Sequence, residues 1–235
     1  MYVLGIETST KTGGAAVVSE TGLIAEYTLN VEATYSERLM AAVDRVLADA
    51  GLAVSGLDGF AVSVGPGSFT GLRIGLSAVK GLALATGKPV AAVPTLRALA
   101  WNLPCSAHPV CPLLDARKNE VYAALYRYEG SALVQEQPEA ALSLAALAER
   151  MPGNVVFTGE AALLYRATIR ELFGERALFA PLSAMVPSAA SVAEIGMAMI
   201  KNGGQADADS LTPLYIRRPE AEVAWEKRAK SPSIS

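Results

Sequence analysis

The stretch GPGSFTGLRIG, residues 65–75, puts four glycines into eleven residues directly after the apolar run Phe60–Val64. It reads as a buried strand, a glycine loop and the start of a helix that runs to Gly87. Two phosphate motifs fail on spacing. A Walker loop requires a Gly-Lys-Ser/Thr end, and the later ATGKP has proline there. The dinucleotide fingerprint requires GxGxxG, whereas Gly65, Gly67 and Gly71 give GxGxxxG. A looser anion site at the helix N-terminus stays open. The other reading is packing. Gly67, Gly71 and Gly75 recur every four residues and so share one helix face, which suits close approach of another backbone. That backbone could belong to the chain itself. With Phe69, Leu72, Ile74, Leu76 and Val79 around much of the circumference, the preferred expectation is a helix face covered by another protein. On that expectation, Leu at position 71 or 75 weakens partner binding without unfolding the chain.

Outward from this stretch the chain reads as two similar units. Residues 2–31 form three strands with turns near Lys11–Gly13 and Glu20–Gly22. An amphipathic helix follows, with Ser36 as N-cap, a stripe of Leu39, Met40, Val43, Val46 and Leu47, and Gly51 as stop. From about residue 106 the order repeats. PLLDARKNEVYAALYRYEGSALVQE lies without gaps on LGIETSTKTGGAAVVSETGLIAEYT at a constant offset of 108, which sets Asp115 on Glu7 and Gly130 on Gly22. NVVFTGEAALLYRATIREL, with Gly159 between its strand and its helix, repeats the strand–glycine–helix order. Such a duplicated sheet with αβα elements resembles the actin–Hsp70–sugar-kinase superfamily. The expected architecture is therefore α/β and actin-like. Residues 1–105 form the first domain, 106–218 the second, and 219–235 a C-terminal helix and tail.

Half of the 235 residues (51%) are hydrophobic and 18% are charged, enough apolar material for a substantial core. A net charge of −3 offers no general basic surface for nucleic acid. The Arg- and Lys-bearing segment around Trp225 is read as a solvated terminus. No apolar run is long enough for a membrane span and no leader is recognised, so a cytoplasmic protein is expected. Cys105 and Cys111 match no metal knuckle, and the single histidine, His108, completes no zinc site.

LGIETST, YSERLM, GPGSFTGLRIGLSAVKGLA, PLLDARKNEVYAALY and LTPLYIRR, in this order from residue 4 to 218, resemble the bacterial TsaB (YeaZ) family. The resemblance implies an actin-like fold. It also implies a part in making threonylcarbamoyladenosine beside the anticodon of tRNAs that read codons beginning with A. In that family the protein is a noncatalytic heterodimer partner of the catalytic paralogue TsaD. The ATPase TsaE docks on the pair, and the adenylate comes from TsaC. The family's contact uses the first two helices, here Ser36–Ala48 and Phe69–Leu84. The implied partner interface comprises Ser36, Leu39, Met40, Val43, Leu47, Phe69, Gly71, Leu72, Gly75, Leu76 and Val79. Alone, the chain is expected to form a homodimer through the same face; tRNA is met only through the complex.

TsaD holds its metal with an HxxxH pair, and the matching ATYSERLMAAVD has no histidine, so no metal, cofactor or catalytic residue is assigned. Glu7, Ser9, Asp115 and Gly159 mark where the superfamily holds nucleotide. The first copy reads ETST and the second DARK, neither carrying the superfamily's D-x-G-[ST], so a vestigial site is expected, with both acids bonded to neighbouring strand-end groups. An actin-fold ATPase or phosphotransferase is the alternative. A serine-protease reading fails: Ser68 lacks a GxSxG frame and His108 shows no sign of a triad.

Overall fold

The computed structural model describes residues 1–30 and 35–217. The segment read as a C-terminal helix and tail lies outside them.

The first unit comprises β1 (Tyr2–Glu7), β2 (Thr12–Ser19), β3 (Gly22–Asn30), α1 (Tyr35–Asp49), β4 (Gly59–Gly65), α2 (Phe69–Thr86), β5 (Val90–Pro94) and α3 (Thr95–Trp101). Its sheet runs β3-β2-β1-β4-β5, with antiparallel pairing across the hairpins and parallel pairing from β1 to β4 to β5. The second unit comprises β6 (Val110–Asp115), β7 (Glu120–Glu129), β8 (Ala132–Ser143), α4 (Leu144–Arg150), β9 (Val155–Thr158), α5 (Glu160–Leu164), α6 (Arg166–Phe173) and β10 (Ala177–Phe179), and α7 (Ala189–Lys201) follows it in the chain. Its sheet repeats the order as β8-β7-β6-β9-β10. The ungapped offset thus corresponds to a true structural repeat: Glu7 and Asp115 end equivalent central strands.

Side-chain alternation along β1 explains the layering. Leu4 and Ile6 face the cluster built with Leu39, Val43 and Leu47 of α1 and Leu76 and Val79 of α2. Val3 faces the opposite cluster, with Val192, Ala193 and Ile195 of α7. A central strand covered on both faces accounts for the continuous apolar run YVLGI. In the second unit, α4–α6 cover one face, and Leu96 and Leu99 of α3 cover the other with Leu114 and Tyr126.

Three expectations are corrected here. Residues 106–218 do not form one domain, because α7 returns to the first sheet, followed by a segment in which Ala206 N donates to Val90 O at 2.7 Å and Leu214 N to Val64 O at 2.7 Å. The second unit therefore ends near residue 188. Helix α1 begins at Tyr35, so Ser36 lies inside its first turn and does not precede it. The helix after Gly159 is broken at Tyr165 into α5 and α6.

The docking of α7 depends on bare backbone. A Cβ on Gly196 would stand 2.2 Å from Ala61 Cβ, and one on Gly5 2.3 Å from Ala189 O. Gly196→Leu is therefore expected to lower the unfolding free energy by about 3 kcal/mol or more, read from urea denaturation monitored by circular dichroism.

Candidate functional site

Two regions were singled out by sequence, and α2 links them. The helix is capped at its start by Ser68, whose Oγ accepts from Gly71 N at 3.3 Å, and closed by Gly87 at φ 67°. Just ahead of it runs the β1–β2 loop. Ser68 N donates to Ser9 O at 2.6 Å, and Thr8 Oγ1 donates to Gly71 O at 2.8 Å. A Cβ on Gly67 would meet Ser9 O at 2.3 Å, on Gly71 Thr8 O at 2.0 Å, and on Gly75 Thr8 Oγ1 at 2.3 Å. The glycine row thus receives the chain's own loop. It is neither a phosphate cradle nor an outward notch, and Leu at position 71 or 75 would collide with the fold.

This placement corrects the interface residues read from sequence. Leu39, Val43, Leu47, Gly71, Leu72, Gly75, Leu76 and Val79 are all buried inside this chain. Their apolar character serves the core between the helices and the sheet. Met40 is 44% exposed and Phe69 is half-buried, so these two remain at the surface; the side chain of Ser36 lies outside the described residues. The outward face of α2 carries residues that sequence reasoning passed over. Leu84 is 84% exposed, Ser77 and Ala85 are exposed, and Gly81 has nothing within 4 Å of where a Cβ would lie.

In the cleft-facing region Glu7 is fully buried at the end of β1. Its Oε1 accepts from Ser9 N at 2.5 Å, while Oε2 finds no partner. Burial raises its pKa from the ordinary 4.5 to about 7, tempered by the nearby Ser9 and Ser63 hydroxyls. Asp115 behaves differently. Its Oδ1 accepts from Arg117 N at 2.9 Å and from Tyr165 OH at 3.2 Å. Gly159, at φ 97°, sits where a Cβ would be 2.1 Å from Leu113 O, so its role is local packing. Glu160, missed by sequence reasoning, stands next to it. Its carboxyl is raised first by burial and then by the charge of Asp115, while Lys11 from the first unit pulls the other way. An acid directly after the strand–glycine signal was the available clue.

These residues do not fit a nucleotide with its metal. Glu7 offers no exposed oxygen, and the start of α2 is filled by Thr8 and Ser9. Among the described residues no three His, Cys, Asp or Glu side chains gather as a metal site, and no helix is long and apolar enough to cross a membrane. Cys105 is exposed and Cys111 buried, both free.

Comparison with known proteins agrees with this frame. Residues 23–225 match the family model described as TsaD, tRNA N6-adenosine threonylcarbamoyltransferase. The tRNA threonylcarbamoyladenosine biosynthesis protein TsaB of Bacillus subtilis (strain 168) is 34% identical over 233 residues, covering 98% of this chain and 100% of the relative. The chain belongs to the TsaB family. The structure of YeaZ from Pseudomonas aeruginosa superposes with a TM-score of 0.77 at 29% identity, over 91% of this chain and 99% of that one. A ROK hexokinase from Thermus thermophilus matches at a TM-score of 0.50 and 16% identity, covering 86% of this chain and 100% of that one, and so shares the actin-like, sugar-kinase fold.

Two substitutions separate the roles of glycines on one helix. Gly71→Ala places a methyl against Thr8 O and is expected to cost about 2 kcal/mol or more, whereas Gly81→Ala meets open space and is expected to stabilise by about 0.5–1 kcal/mol; thermal melts decide. Glu7 gives a pH signature. Its folded pKa is raised, so its stabilising contribution is complete below 4.5 and declines as pH rises to about 7. The full loss is about 3 kcal/mol. Glu7→Gln is expected to match the parent near pH 4 and to exceed it in stability at pH 8, measured by chemical denaturation across pH.

Proposed function

We propose that this chain is a noncatalytic subunit of threonylcarbamoyladenosine synthesis, acting as the scaffold that holds TsaD in a heterodimer and completes a docking surface for TsaE. The carrying observation is the outward face of α2, where an empty glycine notch at Gly81 lies one turn from the exposed Leu84. An exposed mid-helix glycine costs about 1 kcal/mol relative to alanine. Among the described residues nothing lies within 4 Å of a Cβ at Gly81, so on this reading the cost is offset by close approach of a helix from outside. Met40 on α1, which packs beside α2, extends the apolar surface. The interface expected from sequence thus keeps its two helices and changes its residues to Met40, Phe69, Ser77, Gly81, Leu84 and Ala85. The same face serves self-association when the chain is alone. Support for a noncatalytic role comes from the absence of an HxxxH pair in ATYSERLMAAVD and from the buried state of Glu7.

The test is co-purification with TsaD, followed by a reconstituted modification assay in which each subunit is omitted in turn. Leu84→Glu and Gly81→Gln are expected to reduce TsaD capture at least about tenfold, equivalent to about 1.4 kcal/mol, while melting no lower than the parent. The reading is sunk by unchanged capture, or by a chain that transfers the threonylcarbamoyl group without TsaD.

A further inference from the structure

Two covalent links join the units, one after α3 and one before α7. They lie side by side: Asn102 Nδ2 donates to Val186 O at 2.8 Å, and Ser191 Oγ donates to Asn102 Oδ1 at 2.7 Å. Paired links along one edge form a hinge. The opposite edge is held by other means. After α7 the chain runs across the first unit as a strap. Leu211 is buried in the cluster that contains Val79 and Val90, and Lys80 Nζ donates to Asp209 O at 3.2 Å. Tyr215 then stacks on Phe69 with centroids 5.3 Å apart, and Arg73 lies 3.9 Å over the other aromatic partner, Phe69, while donating to Tyr215 OH at 3.3 Å. Two residues on, Arg217 reaches the second unit, where Nη1 donates to Ala116 O at 3.2 Å and Nη2 pairs with the Glu120 carboxylate.

We infer that the segment from Ala206 to Arg217 is a latch that fixes the angle between the two units, with Arg217 as its closing contact. The geometry gives it leverage. Ala116 and Glu120 flank the turn at the far end of β6, roughly 16 Å along that strand from the hinge link at about 3.3 Å per residue. Among the described residues the anchoring on the first unit is multiple and largely apolar, whereas the contact on the second is made by Arg217. Arg217 and Glu120 are each about one-third exposed, at 34% and 33%. A single ion pair with about a third of each side chain in water is weak enough to release. The latch therefore has a permanent end and a releasable end. Its Tyr215 also stacks on Phe69, the first residue of α2, so opening it alters the setting of that helix against the second unit.

The test uses the full chain with Cys105→Ser, Asp44→Cys and Gln135→Cys, spin-labelled at the two introduced thiols and diluted into excess unlabelled protein. Pulsed electron–electron resonance then reads the distance from α1 to β8. Arg217→Ala is expected to lengthen and broaden this distribution while the melting temperature changes little. The charge-reversed pair Glu120→Arg with Arg217→Glu is expected to restore the parent distribution. High salt, which screens the ion pair without any substitution, is expected to broaden the parent in the same direction. One unchanged distribution for parent, Arg217→Ala and Tyr215→Ala/Arg217→Ala, at low and high salt, overturns the latch. So does a broadening that the charge reversal fails to restore.

Discussion

The contact on which the arrangement turns is backbone against backbone, between the Thr8–Ser9 loop and the first two turns of α2. Thr8 O and Ser9 O occupy the space that side chains at 71 and 67 would take, and the Thr8 hydroxyl closes onto Gly71 O. Close approach of this kind decides the rotation of α2 about its own axis. With Gly71 and Gly75 turned to the loop, Leu76, Val79 and Ala83 fall on the sheet, and Ser77, Gly81 and Leu84 fall outward. The inner contact therefore selects the outer face. The outward surface of α2 is a consequence of how the helix is seated, not an independent property of its sequence.

The duplicated units have diverged around the same contact. In the first, the strand-end acid is sealed under the loop and its carboxyl is held largely uncharged by burial until near neutral pH. In the second, Asp115 stays near the surface and binds Arg117 N and Tyr165 OH. Gly159 still meets the central strand, at Leu113 O, but the helix after it lasts only five residues. The two acids at equivalent strand ends have thus been put to different local uses. Glu7 is closed off by burial and Asp115 bonds within its own unit, which leaves little for a ligand between them.

Much of the architecture was legible because it rests on local signals. The apolar runs of β1 and β4, the glycine closing α2 and the constant offset between copies each reflect nearest-neighbour or repeat chemistry. Legibility fell where a decision depends on distant chain. The spacing of Gly67, Gly71 and Gly75 shows that they share a face, yet periodicity has no sign and does not say whether that face points in or out. Thr8, more than sixty residues away, settles it. The same limit misassigned Leu39, Val43, Leu72 and Leu76 to a partner when they belong to the core. The return of α7 to the first sheet was hidden for a related reason: SVAEIGMAMI is apolar enough to pack on either sheet, and only Gly5 and Gly196 admit the approach that occurs.

Gly81 completes the argument from the opposite side. Within one helix, Gly71 and Gly75 have a visible cause in this chain and Gly81 has none. Intrinsic propensity disfavours all three to a similar degree, so the difference between them is purely one of surroundings. Where surroundings within the chain account for a glycine, function need not be invoked. Where they do not, and an exposed leucine stands one turn away, the proposed function supplies the neighbour from another molecule. That contrast turns a single repetitive motif into two separable structural statements. It also ties the inner packing to the outer face: the strand-end loop that fills the glycine row is what holds α2 in position.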